Sequence, residues 1–294
     1  MKKQQKAYAF ALLSVFFWST VATAFKIALR TIGFMELIVF TSLVSSIAIF
    51  IILLFTGRHR FFLHLGLRDL TYYLLLGFLN PFLYYIILFR AYSILPAQEA
   101  MTLNYTWPVM LVILSVPLLK QKITITSLLC ILVSFAGIIV ISSKGSFSGL
   151  HFSNFRGDML ATGSSVVWAL FWILNVKDQR DETEKLFLSF FFGFIFSLIA
   201  AFIFTGIKIP YGQGLTACIY IGLFEMGITF IFWLKALKYS LTTDKVSQLV
   251  FISPFLSLIF IHYIIGEEIL LSTIAGIILI ITGIILQQSL SKMN

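Results

Sequence analysis

The sequence predicts an all-α integral membrane protein with ten transmembrane helices, arranged as two inverted five-helix repeats. Three observations predict it: an apolar composition, ten apolar runs with very short connections, and an internal repetition whose two copies place their positive charge on one side. Hydrophobic residues fill 60% of the 294 positions and charged residues 11%, against roughly half and one-quarter in a soluble domain. A net charge of +9 would suggest nucleic acid on a soluble protein. Here the Lys and Arg fall between apolar runs and form no basic face, so no nucleic-acid partner is expected.

A helix needs roughly 20 mostly apolar residues to cross the hydrocarbon core. The runs are 8–30, 34–56, 69–93, 96–119, 123–142, 157–176, 185–205, 214–237, 244–265 and 268–288. The first follows Lys2, Lys3 and Lys6 and contains Ala22-Thr23-Ala24, the form of a cleavable secretory signal. Its apolar character continues to Leu29 and the second half repeats it, so a retained helix is expected. The third run holds Asn80-Pro81, the fourth Asn104-Tyr105-Thr106-Trp107-Pro108, the eighth Glu225, and the ninth Gln248 and Ser253-Pro254. Cys130 and Cys218 lie inside apolar runs with no metal-ligand spacing around them, so they read as small buried hydrophobes.

The repetition is read most directly in the third and eighth runs. Residues 77–91 read GFLNPFLYYIILFRA and residues 222–236 read GLFEMGITFIFWLKA, with Gly, a basic residue and Ala in register at an offset of 145. One inserted residue makes the offset 146, which aligns Pro108 with Pro254 and Gly137-Ile138-Ile139 with Gly283-Ile284-Ile285. Trp18 similarly answers Trp168, at an offset of 150. The units are 1–143 and 154–290. Each holds an odd number of spans, so the second copy enters the membrane from the opposite side. The positive-inside rule tests this. With the N-terminus cytoplasmic, that side collects Lys2, Lys3, Lys6, Arg58, Arg60, Arg68, Lys120, Lys122, Lys177, Arg180, Lys185, Lys235, Lys238, Lys245 and Lys292, while Arg30, Arg90, Lys144, Arg156 and Lys208 fall outside. Fifteen against five predicts both termini in the cytoplasm of a bacterial-type inner membrane.

Inverted repeats suit carriers that open a midplane site to either side in turn. A pore is the competing reading, since some channels share the architecture. An intramembrane enzyme needs clustered His and acids, or a nucleophile beside a base. His59, His64 and His151 lie in loops and His262 near a helix end, so no enzyme is expected.

A strongly polar side chain at mid-bilayer costs roughly 2.5–3.5 kcal/mol on insertion scales and normally faces a cavity or a partner. Glu225 and its repeat mate Asn80 stand at that depth, and Pro81 kinks the third helix. Asn80 could instead bond across to a neighbouring helix, and Glu225 could act as a protonated hydrogen-bond donor. Proton coupling, or capture of a cationic substrate group, is the sharper reading of Glu225. Pro81, Pro108 and Pro254 are the expected helix breaks, and paired breaks point to a transport site. The candidate cavity residues are Trp18, Asn80, Tyr84, Asn104, Trp107, Trp168, Glu225 and Gln248, with Trp172 a further aromatic. Lys26 and Glu99, toward the outer face, and the Glu267-Glu268 pair read as a snorkelling cation, a helix-start acid and a solvated turn.

Phe17-Trp18-Ser19 and Val167-Trp168-Ala169, Ala-Leu-Lys-Tyr-Ser at 236–240, Ser253-Pro254 and Gly266-Glu267-Glu268 together resemble the EamA family of the drug/metabolite transporter superfamily, over essentially the whole chain. Trp18-Ser19-Thr20 and Asn104-Tyr105-Thr106-Trp107-Pro108 look like motifs of its aromatic amino-acid exporter branch. The resemblance implies secondary-active export or exchange of amino acids or similar small metabolites through a largely apolar cavity, with no metal, nucleotide or other cofactor. Its partners would be a small-molecule substrate and the lipid bilayer; the sequence leaves the oligomeric state open, a monomer being plausible. Glu225 departs from the branch, which carries a small or uncharged residue there.

Overall fold

The computed structural model describes residues 3–29, 31–58, 60–61, 65–95, 103–142, 154–265 and 271–293. His59, His64, Glu99, His151 and the Glu267-Glu268 pair lie outside them, as does the side chain of Lys26. The described residues are all-helical. Six helices are long and apolar enough to cross a membrane: Phe34–Phe55, Leu67–Leu88, Phe155–Lys177, Glu182–Phe204, Gly212–Tyr239 and Asp244–Ile264. Shorter apolar helices cover Trp107–Leu119, Ile125–Gly137 and Ile274–Leu286.

In chain order the elements are α1 (Lys3–Ala28), α2 (Phe34–Phe55), α3 (Leu67–Gly77), a π turn (Phe78–Leu83), α4 (Tyr84–Ile94), α5 (Trp107–Leu119), α6 (Ile125–Ser142), α7 (Phe155–Lys177), α8 (Glu182–Phe204), α9 (Gly212–Ile221), a second π turn (Gly222–Gly227), α10 (Ile228–Tyr239), α11 (Asp244–Ser247), a 3-10 turn (Gln248–Phe251), α12 (Ile252–Ile265) and α13 (Leu271–Met293). Local signals set several of the ends. Asn154 caps α7 by accepting from the Gly157 N–H at 3.1 Å, and Asp181 caps α8 by accepting from the Thr183 N–H at 2.9 Å. Lys185, fully buried in the first turn of α8, donates its Nζ to the carbonyls of Asn175 and Asp178 at 2.6 and 3.0 Å. A cation from one helix thereby closes the carbonyl end of the helix before it.

The outside of the bundle is as apolar as its inside: Phe55, Phe202, Phe204, Ile274 and Ile278 are exposed. That pattern fits hydrocarbon as the surrounding medium. Between helices in lipid, close packing of small residues replaces the hydrophobic drive. α6 and α13 lie against each other so closely that a Cβ on Gly283 would come within 2.7 Å of the Cys130 carbonyl, and one on Gly137 within 2.5 Å of the Gly276 carbonyl. α2 packs on α8, on α9 and on the second π turn, and α8 packs in turn on α3 and the first π turn. α1 packs against α9, α10 and α12, while α7 packs against α4 and α5.

One end of the bundle carries Arg58, Arg68, Lys177, Arg180 and Lys235, and there polar contacts tie residues before 143 to residues after 153. Arg58 pairs with Asp181, and Arg180 with Asp69. Tyr73 donates to Asp178 and Ser127 to Asp244. The Leu241 N–H reaches Gln4 Oε1 at 2.9 Å, and the Thr243 N–H reaches Gln121 Oε1 at 3.0 Å.

Candidate functional site

All five tryptophans of the chain meet in one cluster. Trp18 stands on α1, Trp107 at the start of α5, Trp168 and Trp172 one turn apart on α7, and Trp233 on α10. The Trp18 ring lies 6.1 Å from Trp107, 6.2 Å from Trp168 and 5.4 Å from Trp233. Trp107 lies 6.1 Å from Trp168 and 5.6 Å from Trp233, and Trp172 touches both Trp168 and Trp233. Most of these rings meet edge to face, the arrangement their quadrupoles favour. Membrane proteins ordinarily keep tryptophan at the two interfaces; here the whole complement is inside. The Nε1–H groups of Trp18, Trp168, Trp172 and Trp233 are buried with no hydrogen-bond partner among the described residues. A buried unmet donor costs about 1–3 kcal/mol.

Tyr84 extends the cluster, its ring 4.3 Å from that of Trp168 and 4.8 Å from that of Tyr85. Tyr85 donates its hydroxyl to Glu225 Oε1 at 3.0 Å. Asn104 is held between Tyr84, whose hydroxyl approaches Oδ1 at 3.4 Å, and Ser164, which accepts from Nδ2 at 3.0 Å. Thr106 is likewise bonded to Ser165 at 2.9 Å. The Asn-Tyr-Thr-Trp-Pro segment is thus docked onto α7 by two side-chain bonds, with Trp107 leading into the cluster.

Asn80 is the third residue of the first π turn and Glu225 the fourth of the second. Asn80 leaves the helical conformation altogether (φ −150°, ψ 126°). Its amide is fully buried, with neither oxygen nor nitrogen partnered among the described residues. Pro81, beside it, has no N–H to give to the ladder and packs against Gly193, where a Cβ would lie 2.2 Å from Pro81 Cδ. The second π turn contains no proline. Its carbonyls are met instead by side chains: Ser45 on α2 donates to the Gly222 carbonyl at 2.7 Å, and Thr229 donates to that of Phe224. Glu225 is buried, and among the described residues it has no ion pair.

Several expected residues take places other than those the sequence suggested. Pro108 sits in the first turn of α5, where a missing N–H costs nothing; the break lies before it, in the Tyr105-Thr106 turn. Pro254 is similarly the third residue of α12, and the irregularity is the preceding 3-10 turn. Gln248 is buried in that turn and donates to the Cys130 carbonyl and Ser134 Oγ on α6, at 3.1 and 3.0 Å. Its Nε2 is engaged with α6, and its Oε1 is buried with no partner among the described residues. Trp233 and Tyr85 were not anticipated. Trp233 is readable in hindsight from the spacing Glu225, Thr229, Trp233, two successive steps of four residues. Tyr85 has no such signal, because its repeat mate is Phe230.

The profile described as the EamA-like transporter family matches residues 5–143 and again residues 155–287. An uncharacterized transporter of Clostridium kluyveri is 28% identical over 299 residues, spanning 98% of this chain and 94% of the relative. The uncharacterized transporter YvbV of Bacillus subtilis is 29% identical over 227 residues, 75% of this chain and 72% of its own. A solved crystal structure superposes with a TM-score of 0.83 at 19% identity, over 98% of both chains, which is a likeness of fold.

Proposed function

The chain belongs to the EamA-like transporter family, a multi-pass membrane transporter, and from that premise we propose that it exports or exchanges amino acids or similar small metabolites by alternating access. The observation that carries this reading is the central cluster, to which both halves of the chain contribute: Trp18, Tyr84 and Trp107 from the first, Trp168, Trp172 and Trp233 from the second. A substrate held there touches both halves, so their relative motion can hand it from one side to the other.

Ten spans in two inverted repeats are part of the proposal, and the packing supports it. Exchanging each span for its repeat mate turns the α1 contact with the second π turn and α10 into the α7 contact with the first π turn and α4. The same exchange turns the α1–α12 contact into α7–α5, and α2 with the second π turn into α8 with the first. α2–α8 and α6–α13 map onto themselves. The π turns fall within one residue of register: Phe78–Leu83 follows Gly77, whereas Gly222–Gly227 begins at its mate Gly222.

The chemistry of the centre suits a zwitterion with an apolar or aromatic body. Glu225, lacking a cation among the described residues, receives the ammonium. The unpartnered Asn80 amide and indole N–H groups supply neutral donors for the carboxylate, and the aromatic rings supply the apolar wall. Protonation of Glu225 competes with the ammonium for the same oxygens, which couples substrate exchange to protons. The deciding experiment is counterflow into liposomes holding purified protein, with labelled tryptophan, phenylalanine, alanine, a nucleobase and an S-adenosyl compound. Saturable exchange of the amino acids supports the reading; non-saturating flux with measurable current would establish a pore instead.

A further inference from the structure

Outside the centre, a cleft of about 500 Å³ opens at the basic end between α3 and the end of α7, lined by Arg68, Asp69, Thr71, Tyr72, Tyr73 and Leu75 and by Lys177, Asp178 and Arg180. Arg68, Thr71, Tyr72 and Leu75 recur at helical spacing, so one face of α3 forms its floor. That face runs about 10 Å along the helix axis from an exposed cation to a half-exposed leucine. Leu74 and Leu67, alongside, are exposed too. Charge sits at the mouth and hydrocarbon-facing surface below it.

The cations are unequal in what they already hold. Arg180 is bound to Asp69, and its guanidinium lies 5.6 Å above the Tyr73 ring. Asp178 is taken by Tyr73 and by the Arg180 N–H. Arg68 and Lys177 are both exposed, and among the described residues neither has a carboxylate partner. Both acids of the cleft are thus engaged, and the two free cations flank its mouth. The Tyr72 hydroxyl is spent on the Leu174 carbonyl at 2.9 Å, which leaves its ring as apolar wall.

We propose that this cleft binds the headgroup of an anionic phospholipid, with the phosphate between Arg68 and Lys177 and the acyl chain descending over Tyr72 and Leu75. A phosphodiester needs two or three cationic donors at the depth of the interface, and an acyl chain needs an apolar track continuous with the bilayer. A soluble phosphate would use the first feature and ignore the second. Basic pockets between transmembrane helices on the cytoplasmic side are physically suited to such lipids, because that leaflet is the negatively charged one. The site borders the Arg180–Asp69 and Tyr73–Asp178 contacts that join the two halves.

The test is native mass spectrometry of the full chain released from mixed micelles holding equal phosphatidylglycerol and phosphatidylcholine. The wild type retains one phosphatidylglycerol in preference to phosphatidylcholine, and the Arg68→Gln, Lys177→Gln double variant loses that preference by about tenfold or more. Both side chains are exposed, and an Arg60→Gln variant, also exposed but outside the cleft, keeps the preference. Equal retention of the two lipids by the wild type overturns the proposal, as does an unchanged preference in the double variant. Displacement of the lipid by millimolar inorganic phosphate reassigns the cleft to a soluble anion and equally overturns it.

Discussion

Tyr85 and Glu225 are 140 residues apart in the chain and share one hydrogen bond of 3.0 Å, from the phenol to Oε1. The contact joins α4 of the first half to the second π turn of the second, beside the aromatic cluster. A carboxyl so placed has one neutral donor and no cation among the described residues; in the proposed mechanism a proton or a substrate ammonium completes it.

Glu225→Gln therefore loses transport driven by a proton gradient and weakens substrate binding and exchange, because Gln mimics the protonated carboxyl at nearly the same volume and no longer holds the ammonium. Gradient-driven uptake and exchange are measured side by side in liposomes. Unchanged gradient-driven transport at normal protein levels removes Glu225 from the coupling step.

Tyr85→Phe removes a hydrogen bond to an ionisable group, a contact worth about 1.5–3 kcal/mol when the acceptor is charged. The variant alters the pH dependence of transport, because Tyr85 is the described donor to that carboxylate. A profile superimposable on the wild type refutes the assignment.

Trp107→Ala and Asn104→Ala reduce transport by roughly tenfold or more while the protein still inserts and accumulates. Phe202→Ala and Phe204→Ala, at exposed positions, leave it unchanged. Losses of equal size at all four positions, tracking expression, would mean that Trp107 and Asn104 only pack.

Gly222→Val destabilises the bundle. Its Cβ would meet Val44 Cβ at 2.6 Å and the Thr41 carbonyl at 2.9 Å, an overpacking that costs about 1–3 kcal/mol. Thermal unfolding in detergent reads this as a lowered midpoint, and a wild-type midpoint would mean that α2 yields freely to the second π turn.

A reporter placed at Glu182 or after Asn294 reads cytoplasmic, and one at Ser148 external, because only inverted copies satisfy the positive-inside count. A cytoplasmic signal at Ser148 would sink the inverted arrangement.

The helical character of the chain was legible because it rests on signals with a fixed period. Apolar length gave the spans, and Gly77 with Gly222, or Gly137 with Gly283, recur because backbones approach closely at both members of each pair. Asn80 and Glu225 stood out because polarity at mid-bilayer is costly. Less was legible where the answer depends on neighbours from other parts of the chain. Nothing local in Gly222–Gly227 encodes a π turn; the donors that accommodate it come from Ser45 on another helix and from Thr229 beyond it. Gln248 read as a cavity residue by polarity alone, whereas the proximity of α6 decides where its amide goes. Pro108 and Pro254 stand in the first turns of α5 and α12, past the irregular turns, since proline is also well suited to starting a helix.

Gathering every tryptophan into the centre has a spectroscopic consequence. With no indole left at either lipid interface, the intrinsic emission of the folded chain arises from a single neighbourhood where the rings lie 5.4–6.5 Å apart. At such separations excitation passes among the rings faster than it is emitted, so a change at any one of them alters the signal of all. The protein carries its own optical probe of whatever enters that space, and no label or engineered tryptophan is needed to observe it.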